Sequence, residues 1–220
     1  MEEKISDSLL AFIDFLYAVV FGLVLAEAYE EIINSETLGS LDKLGGILLV
    51  ISVFYFLSWD WLHGRLLTLR NPYTRYRRFF IETLIAFFGY GAAISALQRN
   101  IFFLVYVSFV LWLGASWAFV TLREYPQSDD IRELKITETF QSASGFGPLI
   151  VFAFHRYNWG YEPMSPFEIV GVVLIGWFFV FVYELRQERP YTGIMFGPGV
   201  PFVNRERLEK IKRIRKGGAR

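Results

Sequence analysis

The sequence contains no cysteine and only two histidines, His63 and His155. Disulfides, thiolate metal sites and cysteine nucleophiles are thereby excluded, and a histidine-rich metal centre lacks ligands. Charge is scarce as well. Lys, Arg, Asp and Glu make up 20% of the chain, below the roughly 25% usual in soluble domains. The first 40 positions hold one Lys and no Arg. The opening Met-Glu-Glu-Lys is unlike the basic start of a signal peptide, and no small-x-small cleavage site follows, so the first apolar stretch is expected to be retained. Enzyme signatures are missing too: there is no Gly-x-Ser-x-Gly, no phosphate loop and no His-Glu-x-x-His. Asp60 and His63 form one Asp-x-x-His, a spacing common by chance. Neither an enzyme nor a cofactor is expected, and no metal.

What the chain does have is apolar and aromatic residues, 54% and 19% of its 220 positions. They are clustered into runs almost free of charge. A bilayer-spanning helix needs about 20 mostly apolar residues. Six windows meet that need: 8–28, 44–62, 79–97, 101–122, 136–154 and 167–185. The fifth is the weakest, since it begins with polar residues and contains Gly145, Gly147 and Pro148, which could kink or break it. The expected fold is an all-α membrane protein with a six-helix transmembrane domain over 1–189. A Gly/Pro loop and a basic tail follow over 190–220. The longest loop, about 123–138, mixes both signs of charge.

Orientation follows from the basic residues, which accumulate on the cytoplasmic side of membrane proteins. With six spans and the N-terminus inside, 19 of the 22 Lys and Arg lie inside, and only Lys43, Arg99 and Arg156 lie outside. Both termini are therefore expected to be cytoplasmic. In the tail, Arg207, Lys210, Lys212, Arg213, Arg215 and Lys216 would face the inner leaflet. Anionic lipid is the expected partner there rather than nucleic acid.

An ionisable residue inside a span is a functional candidate. Asp14 lies two turns into the first window, between apolar neighbours. The segment around it reads Ala-Phe-Ile-Asp-Phe-Leu-Tyr-Ala-Val-Val-Phe-Gly-Leu-Val-Leu-Ala-Glu, from Ala11 to Glu27. It resembles the first helix of the transmembrane protein 175 family of potassium channels. That helix opens with a Phe-Ser-Asp signature, runs on through small and branched apolar residues and ends near a Glu. Phe12, Asp14, Ala18 and Glu27 match it. Ile13 stands at the signature serine, Ser8 where an arginine usually precedes it, and Gly22 at a pore hydroxyl. In the second window, Trp59 and His63 match a Trp followed one turn later by His. The family's bacterial and archaeal members are short six-span proteins, which fits the whole chain, and the short chain with its compact loops points to a prokaryotic cell membrane.

The resemblance implies a homotetrameric channel passing monovalent cations, potassium above all. Val19, Leu23 and Ala26 would line a central pore and form its hydrophobic constriction. Phe12, Asp14, Trp59 and His63 would brace the pore helix. The residues themselves leave another reading open. Ala18, Gly22 and Ala26 recur every fourth position, a small-residue face that packs helices together in many membrane proteins. On that reading the protein is a non-conducting scaffold or sensor, and a small-molecule transporter is a third possibility. Trp59, Asp60, Trp61, His63 and Arg65 similarly fit either an interfacial aromatic belt or a polar network holding the first helix. Glu82, four residues after Arg78, is expected to pair with it along the helix.

Overall fold

The computed structural model describes residues 2–34, 39–128 and 130–186, and among these every regular element is helical. Helix α1, Glu2–Ala28, runs directly into a π-helical turn at Tyr29–Ile33. It is followed by α2 (Ser40–Arg70), α3 (Tyr76–Leu97), α4 (Phe103–Glu124), α5 (Ile131–Ser144), α6 (Phe146–Trp159) and α7 (Pro166–Arg186). Four stretches are long and apolar enough to cross a bilayer: Ile5–Ile32, Lys43–Arg70, Tyr76–Leu97 and Phe103–Glu124. They contain the first three expected windows and all but the first two residues of the fourth, and α2 continues well past position 62, to Arg70.

The fifth window is not one helix. Residues 131–138, which read as loop, are the start of α5, and α5 gives way to α6 at Gly145. Two features enforce that joint. Pro148 has no N–H, so the Ser144 carbonyl, four residues back, loses its helical partner. Trp112 also presses on the backbone there. A Cβ at position 145 would lie 2.3 Å from the indole nitrogen.

The two pieces nevertheless follow α4 along its length. At one end, Asn71 Nδ2, just past α2, donates to Asp130 Oδ2 at 2.7 Å. Arg70 pairs with Asp130 at 3.2 Å and Glu133 at 3.5 Å. At the other end, Phe102 meets Phe152 and Tyr161 through ring contacts at 5.6 and 6.2 Å. Met164 N donates to Arg99 O at 3.1 Å. The path from Asp130 to Tyr161 thus joins the two ends between which α4 itself runs.

Two apolar clusters hold the helices together. Leu67, Ile85, Val110, Trp117, Ala118 and Leu134 join α2, α3, α4 and α5. Ile13, Tyr17 and Ala86 join α1 to α3, flanked by Trp61 and Phe79. Residues Met1–Leu174 form one compact unit and Ile175–Arg220 another. Of the second, the described part is the end of α7, where Phe178 and Phe179 meet edge to face. The basic tail with Arg207, Lys210, Lys212, Arg213, Arg215 and Lys216 lies outside the described residues.

Candidate functional site

Helix α1 has two faces of different character. Residues advance about 100° around a helix per position. Ile13, Tyr17, Val20, Val24 and Ala28 fall on one side and are buried against the chain. Phe12, Phe15, Ala18, Val19, Gly22, Leu23 and Ala26 fall on the other and are exposed. Val19 is 39% exposed and Leu23 47%. Nothing lies within 4 Å of a Cβ placed on Gly22. The expected pore positions and the small-residue row therefore share one exposed surface.

The other face is anchored by polar contacts, and those in its middle reach α2. Asp14 and Tyr17 are three residues apart and so lie on the same flank of α1. Trp61 Nε1 donates to Asp14 Oδ1 at 3.1 Å. Arg65 Nη1 sits 2.7 Å from Asp14 Oδ2. Tyr17 donates its hydroxyl to Asp60 Oδ2 at 2.7 Å. Trp61 and Arg65 are one turn apart, which lets them grip both oxygens of one carboxylate. Ion pairing and a charge-assisted hydrogen bond together meet the cost of placing Asp14 in an apolar span.

Phe12 adds an apolar contact at the same end, with its ring 5.7 Å from that of Phe79 in α3. Trp59 and His63 turn elsewhere. Both are buried, and their rings stack at 5.2 Å. The polar network that holds α1 is thus present at the end of α2, while the residues that reach Asp14 are Trp61 and Arg65. Their signal in the sequence was the helical spacing of Asp14 with Tyr17 and of Trp61 with Arg65.

His63 lines a small cavity with Tyr17, Asp60, Glu82, Trp117 and Gln141, about 30 Å³ in volume. That is room for one or two water molecules. Glu82 is bound from outside the cavity by the hydroxyl of Tyr73, which lies in the α2–α3 loop. Burial, and then the adjoining Glu82 carboxylate, push the Tyr73 hydroxyl well above its ordinary pKa, so it stays a donor.

The expected helical pair between Arg78 and Glu82 does not form. Arg78 is fully buried, donates to Pro72 O at 3.0 Å and pairs with Glu124 at 3.5 Å. Its guanidinium lies 4.9 Å from the centre of the Trp117 ring and 5.3 Å from that of Tyr73. Aromatic faces and a carboxylate from α4 outcompete the neighbour on its own helix, because a desolvated guanidinium gains from planar partners on several sides.

Among the described residues, no group of three or more His, Asp or Glu is placed to hold a metal ion. The arrangement gives a helix firmly held along one side and open along the other. Comparison with family models, curated proteins and solved structures returned no match.

Proposed function

We propose that the protein is an ion channel of the transmembrane protein 175 type, a homotetramer whose α1 helices surround a central pore. Monovalent cations pass, with potassium preferred. Val19, Leu23 and Ala26 line the narrow part, Asp14 holds the helix from behind, and Phe12 braces it through its ring contact with Phe79 of α3. The observation that carries this reading is the division of α1: the positions that would line a pore are those left uncovered by the rest of the compact unit. From Phe12 to Ala26 the uncovered face has no ionisable side chain, which suits a gate that closes by excluding water.

Two further features support it. The carboxylates of Glu30 and Glu31 follow α1 at its far end, and Glu27 there accepts from Gln98 at 2.9 Å. Acidic groups around a pore entrance concentrate cations. The path of α5 and α6 supports six membrane passages with both termini in the cytoplasm. In that scheme α5 and α6 together make the fifth and α7 the sixth, and the Arg-rich end of α2 and α3 faces inward. Helix α6 alone, with 14 residues, is about 21 Å long at about 1.5 Å per residue, short of a hydrocarbon core of about 30 Å. The fifth passage accordingly needs both pieces.

The test is potassium and sodium flux into liposomes holding the purified chain, with and without Leu23→Asn. Potassium flux above protein-free vesicles, and a changed conductance in the variant, is the expected result. Folded, inserted protein with no flux for either ion would replace the channel by a non-conducting scaffold.

A further inference from the structure

We infer that the groove between the start of α1 and the α2–α3 loop is a binding site for one anionic phospholipid. The inference needs the chain to sit in a membrane; it does not need the chain to conduct ions. The groove has a volume of about 130 Å³ and is lined by Ile5, Leu9, Tyr73, Thr74, Arg75 and Tyr76. Its two walls differ in chemistry. Ile5 and Leu9, one turn apart on α1, make an apolar strip with the Tyr76 ring. Thr74 and Arg75 make a polar lip, with Arg77 two residues further on.

Arg75 and Arg77 are exposed, and neither takes part in an ion pair among the described residues. This separates them from Arg65, Arg70 and Arg78, each of which is matched to a carboxylate of the chain. Five arginines lie between positions 65 and 78, and of the two with no ion pair among the described residues, Arg75 lines this groove. Asp7 is two positions from both Ile5 and Leu9, so it points to the far side of α1. Its carboxylate therefore does not oppose an anion there.

The groove is also braced through Tyr73. Tyr73 N donates to Ser6 Oγ at 3.1 Å, which ties the loop to α1 across its floor. The Tyr73 hydroxyl is held by Glu82, and the Tyr73 ring meets Phe79 edge-on at 6.3 Å. A preformed cleft with an apolar wall continuous with the membrane and a cationic lip at its edge matches an acyl chain joined to a phosphate. Charge complementarity selects an anionic headgroup over a zwitterionic one.

The experiment is native mass spectrometry of the full chain, released from vesicles of equal phosphatidylglycerol and phosphatidylcholine. The wild type should retain phosphatidylglycerol preferentially. Arg75→Gln should lower that retention about five-fold, the factor expected for one basic group at an anionic surface. Leu9→Trp, which fills the groove without changing charge, should lower it as well. Arg123→Gln serves as the control, since Arg123 is exposed at the same end but lies over the Phe119 ring, away from the groove. Equal retention of both lipids by the wild type would overturn the site. So would equal losses in the Arg75 and Arg123 variants, which would mean diffuse surface charge. Unchanged retention in Leu9→Trp would overturn it too.

Discussion

Tyr17 and Asp60, 43 residues apart in sequence, meet through a hydroxyl-to-carboxylate hydrogen bond of 2.7 Å between α1 and α2. In water such a contact would compete with solvent. Between packed apolar helices the carboxylate has few other donors, so the bond sets how the two helices lie against each other. Its loss should be felt in stability before anything else.

Replacing Tyr17 with Phe removes the donor and keeps the ring. The expected cost is about 1 kcal/mol, seen as a drop of about 2–4 °C in the melting temperature of the detergent-solubilised protein. An unchanged melting temperature would mean that Asp60 finds another donor at no cost.

Asp14 should couple to Arg65 and not to His63. A double-mutant cycle with Asp14→Asn and Arg65→Gln should give an interaction energy of about 0.5–2 kcal/mol. The same cycle with His63→Ala should give a value near zero. Coupling of Asp14 to His63 as strong as to Arg65 would contradict the contacts described above.

Two glycines should respond in opposite ways. Gly145→Ala places a methyl group against the rigid Trp112 ring, so it should destabilise the protomer by about 1–3 kcal/mol, despite the better helix propensity of alanine. Gly22→Ala meets nothing in its own chain, so thermal unfolding of the solubilised protomer should not worsen. Its effect should appear instead in the size of the assembly, read by light scattering. A destabilised Gly22→Ala protomer would show that this face is covered from within the chain.

Much of the fold was legible in the sequence, for a simple reason. Helices α1 to α4 contain apolar runs of spanning length, and such runs announce themselves whatever packs on them. Helix α5 was hidden because its buried residues include Glu133 and its cap is Asp130, which read as solvent-facing until Arg70 and Asn71 are brought to them from α2. The end of α2 was hidden likewise, since Asp60, Trp61 and Arg65 look like an interfacial belt when their partners on α1 are unknown. In the candidate site, Asp14 stood out as a lone acid in an apolar run. Trp61 and Arg65 stood among five candidates on α2 for its partners, and the choice among them was open because Trp59 and Trp61 differ by about 200° around the helix. No feature of one helix read alone says which of the two faces a neighbour. Arg78 shows the same limit: the nearby Glu82 suggests a local pair, and only the fold supplies Glu124 and Trp117.

The division of α1 into a covered and an uncovered face also bears on inheritance. A substitution at Ile13 or Tyr17 damages the protomer itself, so defective chains are lost before they meet others, and a co-expressed normal chain would compensate. A bulky replacement at Gly22 leaves each chain sound and able to reach the membrane. In any assembly built on that face, such chains would join normal ones and spoil the shared surface. In a cell that also expresses the normal chain, harm from the covered face should therefore be masked, and harm from the uncovered face, in any such assembly, should not.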